Sequence, residues 1–467
     1  MEQAFTPVAE ASPIASGLRS NALSPMETLA QSISTIAPTA SPTMTIPLVF
    51  ALAGNGTWLA YLLASAAMLL MALTLSRFAL YSACSGSLYT YVATALPPVF
   101  SAVTGWALLL AYIATGASVA GGFINYGSVF VLSLTGKAVS TVLLAVICVG
   151  GTTFIAYRDV QVSARLMLWI EATSILLIVI VLALLLLQNG WHIDPVQLHL
   201  KGVTSSGVRL AVVLAIFSFV GFESATTLGA EARNPLRTIP RAVIQSALFA
   251  GLFFILCAYL ETLGMASAHQ NLGESTAPLR VLATLAGVPV LGPLIDLGAM
   301  VSMFACTLAC TTAAARVLLR MAQNGLAHRS LGSTHSHNAT PHLAVLIVGF
   351  FTLLPVAGLA ARGVASADIY GWMGSLAVYG FITAYGLASA ALPFYLKRNH
   401  HLSTGTLLLS IAATAAMLLA LAGTLYPVPP SPYNWLPYLY LVYIVAGIAW
   451  YVFSTRRGVG IQTDTEV

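Results

Sequence analysis

Twelve apolar runs, each long enough to cross a bilayer as a helix, constrain this chain more than any other feature. A hydrocarbon core of about 30 Å needs roughly 20 predominantly apolar helical residues. The runs fall at 26–53, 57–81, 99–132, 138–157, 166–188, 208–231, 241–265, 291–322, 342–361, 369–396, 404–424 and 434–454. Only 7% of the 467 residues are charged and 58% are hydrophobic, whereas a soluble protein carries about 25% charged residues. With a mean hydropathy of +0.89, the chain has too few charges to cover a water-facing surface. It reads as an all-α polytopic membrane protein, which excludes a disordered chain, a nucleic-acid binder and a secreted disulfide scaffold. The five cysteines (Cys84, Cys148, Cys257, Cys306, Cys310) sit in or beside apolar runs and read as packed thiols.

Charge placement sets the orientation. With the N-terminus in the cytoplasm, fourteen of the nineteen basic residues fall in cytoplasmic segments and five (Lys137, Lys201, Arg209, Arg280, Arg362) in outer ones. That asymmetry satisfies the positive-inside rule with both termini cytoplasmic. Residues 1–25 are polar, carry Pro13 and Pro25, and read as a flexible tail instead of a cleaved signal; residues 455–467 read as a second cytoplasmic tail.

Two spans cannot be ordinary helices. The first carries Pro38 and Pro42 near its middle, in Ser34-Thr35-Ile36-Ala37-Pro38-Thr39-Ala40-Ser41-Pro42-Thr43. Each proline removes a backbone donor and clashes with the preceding turn. Lipid offers no partners for the freed carbonyls, so the stretch must be buried in protein or line a cavity. The sixth reads Phe217-Ser218-Phe219-Val220-Gly221-Phe222-Glu223-Ser224, with a glycine and a carboxylate near mid-membrane. Kinked packing helices would explain either interruption alone. An offset of five helices turns the second half upside down relative to the first, as an inverted five-helix repeat requires.

The sixth-span run, followed by Glu231-Ala232-Arg233-Asn234-Pro235-Leu236-Arg237-Thr238-Ile239-Pro240-Arg241-Ala242, resembles the helix 6 signature of the amino acid–polyamine–organocation (APC) superfamily. Gly86-Ser87-Leu88-Tyr89-Thr90-Tyr91 with Gly105-Trp106 and Tyr112 is similar to that family's entry into helix 3. Val162-Ser163-Ala164-Arg165 resembles its lead into helix 5, and Ala315–Gly325 the end of its helix 8. The resemblance implies an amino acid permease with the LeuT-type inverted-repeat fold. It would comprise a ten-helix transport core over 26–400 and two additional helices over 401–454.

A helix broken in mid-membrane leaves free N–H groups on one half and free C=O groups on the other. The N-terminal end suits a carboxylate and the opposite end an ammonium. A zwitterion therefore fits between them without a formal charge from the protein. The expected carboxylate donors are the backbone N–H groups of Thr39, Ala40 and Ser41; the expected ammonium acceptors are carbonyls near Ile36, Ala37, Phe217 and Ser218. Gly221 is expected where backbone must approach the ligand, so that Gly221→Leu would block binding. The family usually has a Gly-Ser-Gly-like stretch where this chain has Ala40-Ser41-Pro42. By resemblance Phe217 occupies a gating position, with Tyr112, Cys306 and Tyr379 as side-chain pocket candidates. For any one of these, plain packing is the competing reading. Glu223 is the one carboxylate close to the pocket, which favours a neutral substrate.

Coupling is less legible. Several proton-coupled family members have a helix 5 lysine where this chain has Ser174. A Ser174 hydroxyl beside Thr311 and Thr312 would suit a sodium ion; Glu171, one turn earlier, and Glu223 are the other coupling candidates. An acid in an apolar span is costly to keep ionised, so Glu223 is expected to be hydrogen-bonded or to take up and release a proton. The coupling ion, proton or sodium, stays open, as does exchange without one, and no other cofactor is expected. His328, His335, His337 and His342 are irregularly spaced without cysteine and do not read as a metal centre.

No acidic-plus-basic motif between the second and third spans suggests the parallel repeats of a major-facilitator transporter. All nine histidines lie in loops or at span edges, which argues against a membrane-embedded enzyme. The reading is a secondary transporter in the plasma membrane whose partners are a small amino acid and the lipid bilayer. An amine or polyamine carrier, an exchanger of the same fold and a transporter-derived sensor remain alternatives.

Overall fold

The computed structural model describes residues 21–82, 86–158, 161–191, 193–335, 340–426 and 428–456; His337, Cys84 and most of both tails lie outside them. Among these residues sixteen α-helices follow one another. They are α1 (Pro25–Ile36), α2 (Ile46–Ala53), α3 (Thr57–Ala79), α4 (Ser87–Ala95), α5 (Pro98–Thr135), α6 (Thr141–Arg158), α7 (Gln161–Gln188) and α8 (Pro195–Leu198). After these come α9 (Ser205–Phe217), α10 (Pro235–Ser267), α11 (Pro278–Leu285), α12 (Leu291–Gln323), α13 (His342–Ala361), α14 (Ser366–Arg398), α15 (Thr404–Leu425) and α16 (Leu436–Arg456). Among the described residues ten helical stretches are long and apolar enough to span a membrane, the first being the run Pro25–Ala79. That run contains both the first and second apolar runs of the sequence. The sixth contributes only the shorter α9.

Local chemistry accounts for the two breaks. Ser24 and Glu27 form a reciprocal capping box that starts α1, with Pro25 in the first turn. The helix ends when Ala37 enters the left-handed region at φ 47°, immediately before Pro38. The chain resumes as a π-helical turn, Ser41–Thr45, and continues into α2. In the sixth span α9 stops at Phe217, and Gly221 adopts φ +94°. Beyond it the expected second half-helix is absent. Residues 218–234 run as turns around a short 3-10 segment, Ser224–Leu228, until Asn234-Pro235 starts α10. Hydroxyls replace the helical ladder there: Thr227 Oγ1 donates to Ser224 O at 2.7 Å, and Ala225 N to Ser32 Oγ at 3.1 Å. Such backbone is tolerated at membrane depth because it is enclosed by protein.

The core lies around α5, whose 38 residues span about 57 Å and must therefore tilt within a bilayer about 30 Å thick. It packs against α12 and α14, while α3 packs along α10 and α1 sits among α7, α10 and α12. In the most apolar stretch of α5, 89% of residues are buried by protein, against 28% for α15 and 17% for the last span. The last two helices are thus peripheral and present most of their surface to lipid.

Candidate functional site

The two breaks meet in the middle of the molecule. Gly221 lies so close to Thr35 that any Cβ there would overlap the threonine side chain. Ser32 Oγ donates to Phe222 O at 2.7 Å, and the Thr35 and Ser224 hydroxyls pair at 2.8 Å. Cys306 Sγ on α12 donates to Thr35 O at 3.0 Å. In the sixth span, Ser218, Phe219 and Val220 donate their N–H groups to Ala215, Ile216 and Phe217 carbonyls.

Between the breaks is a cavity lined by Thr35, Ile36, Ala40, Ser41, Thr115, Val119, Phe217, Ser218, Val220, Cys306 and Tyr370. Its water-accessible space is about 10 Å³, room for about one water molecule. Phe217 packs its ring edge-on to Tyr370 at 5.7 Å between centroids. Gly374 on α14 makes room for it, since a Cβ there would lie 2.8 Å from the Phe217 ring. The Tyr370 hydroxyl pairs with Thr45 Oγ1 at 2.7 Å, which ties the π-helical turn to α14.

Of the residues expected from sequence, Ile36, Ala40, Ser41, Phe217, Ser218 and Cys306 line the cavity; Ala37, Thr39, Gly221, Tyr112 and Tyr379 do not. The backbone N–H of Thr39 is not free for a ligand carboxylate. It donates to Glu171 Oε1 at 3.0 Å, and the Thr39 hydroxyl donates to the same oxygen at 2.8 Å. The Ala40 N–H is taken by Ala37 O. Ser41 opens the π-helical turn, where the first N–H groups have no helical partner. Gly221 faces Thr35 instead of the cavity: the close approach is between the two broken segments themselves. Tyr379 stacks on Tyr440 of α16 at 5.8 Å.

Tyr112 donates to Glu223 at 2.7 Å and Tyr385 at 2.5 Å, so helices α5 and α14 clamp the carboxylate from two sides. The structure does not bring Ser174 together with Thr311 and Thr312. Ser174 packs on Gly298, thirteen residues and about 20 Å along α12 from Thr311. Thr311 Oγ1 donates instead to Thr307 O, and Thr312 O accepts from Arg316. Thr35, Thr115, Val119, Val220 and Tyr370 are lining residues that the sequence reading missed. Thr115 and Tyr370 sit on uninterrupted helices, with no local signal marking them.

One end of the site is latched. Arg316 forks onto Glu231 with Nε···Oε2 at 2.7 Å and Nη2···Oε1 at 2.9 Å, both side chains buried. Beside this pair Leu23 and Ala232 form a parallel bridge.

The sequence model of amino acid permeases matches residues 27–459. The chain belongs to the amino acid permease family. As an APC-superfamily permease it is an integral membrane transporter and not an enzyme. The permease is 26% identical to the branched-chain amino acid permease BcaP of Bacillus subtilis over 65% of its own length and 67% of that protein's. It is 30% identical to an uncharacterised transporter of Mycobacterium tuberculosis over 73% and 72% of the two chains. Human cationic amino acid transporter 4 is 25% identical over 64% of the permease and 49% of that protein. The crystal structure of MhsT in complex with L-phenylalanine superposes with a TM-score of 0.59, covering 87% of the permease and 99% of MhsT. At 15% identity that likeness speaks for the fold alone, which is LeuT-type.

Proposed function

We propose that the permease is a secondary transporter of a neutral amino acid, working by alternating access about the cavity between its broken spans. The carrying observation is the composition of that cavity. Broken backbone ends converge on it, and none of its lining residues is Asp, Glu, Lys or Arg. A zwitterion satisfies such a site with its own two charges: its carboxylate lies at the start of the helix at Ser41 and its ammonium toward the Ile36 carbonyl. A cationic side chain would enter with no counter-charge, at a cost of several kcal/mol. Ile36, Val119, Val220 and Cys306 offer an apolar wall to the substrate side chain, and Phe217 closes the site against Tyr370. The branched-chain specificity in the names of two relatives accords with that wall.

In this reading the chain crosses the plasma membrane twelve times, with α1–α2 and α9 with its irregular continuation as the first and sixth crossings, and both termini are cytoplasmic. The test is uptake of a radiolabelled panel of neutral, cationic and acidic amino acids and amines into proteoliposomes. Saturable uptake of neutral members is expected. Transport confined to cationic members or amines would overturn the substrate class, and no transport of any member would remove the transporter reading.

A further inference from the structure

Glu261 sits in α10, six residues before the helix ends at Ser267. Its side chain is completely enclosed, and neither carboxyl oxygen has a hydrogen-bond partner among the described residues. Every other buried carboxyl group there is engaged. Glu223 has two tyrosines, Glu171 has Thr39, Glu231 has Arg316, Asp296 has Arg280 and Glu27 has the Ser24 N–H.

The groups around Glu261 supply no counter-charge. Cys257 precedes it by one turn on the same helix; Tyr61 lies on α3, the helix packed along α10, and Tyr126 on α5. Of the other elements packed on α10, α11 carries Arg280, bound to Asp296, and the segment Leu272–Glu274 carries Glu274, bonded by Asn271. Glu171 on α7 and Glu27 on α1 are engaged as above. Arg77 is exposed at the far end of α3, sixteen residues and about 24 Å along the helix from Tyr61.

A bare carboxylate is costly in such a place, and a proton or a metal cation would remove its charge. A metal ion needs several oxygen ligands at once. The two hydroxyls nearby are spoken for: Tyr61 pairs with Ser218 Oγ at 2.9 Å and Tyr126 donates to Thr43 O at 3.0 Å. That leaves the proton.

Those same two tyrosines join the Glu261 region to the transport site. Ser218 lines the cavity at the sixth-span break, and Thr43 lies in the π-helical turn of the first. The helix that carries Glu261 also packs against α1 and the π-helical turn, so movement of the broken segments displaces elements packed on that helix. We propose that Glu261 is a proton-binding site of the transport cycle, neutral while the cavity is closed and wetted when the broken spans move. On wetting, the carboxyl O–H bond breaks and the proton passes to an entering water, leaving the carboxylate hydrated. In the opposite-facing state a hydronium returns a proton to the same oxygen before closure. The proposal rests on the transport reading above.

The test compares wild type with Glu261→Gln, which mimics the neutral acid in shape, in proteoliposomes loaded with whichever neutral amino acid the uptake panel identifies. Counterflow without a pH gradient and accumulation driven by an imposed pH gradient are measured side by side. The expected result is a ratio of pH-driven accumulation to counterflow at least tenfold lower in the variant. In parallel, an infrared band of a protonated carboxyl in the wild type should be missing from the variant. Should Glu261→Gln fold poorly, Glu261→Met carries the same comparison. An unchanged ratio, or no infrared band attributable to Glu261, overturns the proposal. So does accumulation driven by a sodium gradient in place of protons. Wild-type counterflow without pH-driven accumulation would defeat this proposal alone, whereas absence of counterflow would defeat the transport reading beneath it.

Discussion

Replacing Gly221 by alanine tests how closely the two broken spans must approach. The added Cβ would overlap Thr35 Cγ2 and lie 2.7 Å from Thr35 Cβ and 3.2 Å from the Thr35 carbonyl carbon. The Thr35 backbone is held by Cys306 and its hydroxyl by Gln31 O and Ser224, so neither can yield cheaply. Holding alanine at φ +94° costs about 1–3 kcal/mol, and overpacking a filled site adds about 1–3 kcal/mol. Gly221→Ala should therefore destabilise the permease by about 2–6 kcal/mol before relaxation. Thr35→Ser removes the overlapped methyl but keeps the hydroxyl bonds, so it should relieve part of the steric term and none of the backbone term. Thermal unfolding in detergent of the two single variants and the double variant gives the coupling directly. The double variant is expected to be at least about 1 kcal/mol more stable than the sum of the singles predicts. Wild-type melting in Gly221→Ala, or strict additivity in the cycle, would refute the reasoning.

Two further outcomes follow from the latch and the clamp. Arg316→Gln strips a buried, bidentate carboxylate of its cation, a loss of about 3–5 kcal/mol from the closed form; a cysteine placed at Ile36 should then label faster from the face where α1 begins. Equal labelling rates in wild type and variant would show that the Arg316–Glu231 pair does not hold that end shut. Glu223→Gln turns one of the two accepting oxygens into a donating amide nitrogen, so Tyr112 and Tyr385 can no longer both donate to it, and counterflow rates should shift several-fold. Because both Glu223 oxygens already have hydroxyl donors, its pH-driven accumulation should persist, in contrast to the Glu261 variant; its loss would assign the proton to Glu223 instead.

The breaks themselves were legible because proline and positive-φ glycine act through the local backbone. Pro38 and Pro42 cannot sit in an unbroken helix, and Gly221 marks a turn whatever surrounds it. From those two positions the cavity's neighbourhood followed, including Ile36, Ser41, Phe217 and Ser218. The Thr39 N–H, expected to face a ligand, is bonded within the protein, and a backbone N–H carries no sign in the sequence of which distant acceptor claims it; here it is Glu171, 132 residues away. Ser174 does not meet Thr311 and Thr312 for a related reason. Ser174, Thr311 and Thr312 have suitable chemistry, but the depth at which α7 crosses α12 decides which of them meet.

Apolar run lengths, the scarcity of charge and the broken-span spacing determined that this chain is a helical membrane protein with two interrupted spans five apart, since bilayer thickness and backbone hydrogen bonding act on segments one at a time; the transport role came from the resemblance of its sixth span. Tertiary structure alone decided which polar groups are partnered: Glu223 received two tyrosines from separate helices, and Glu261, an equally apolar-flanked acid, received no hydrogen-bond partner among the described residues. That outcome depends on how helices far apart in the chain rotate and cross.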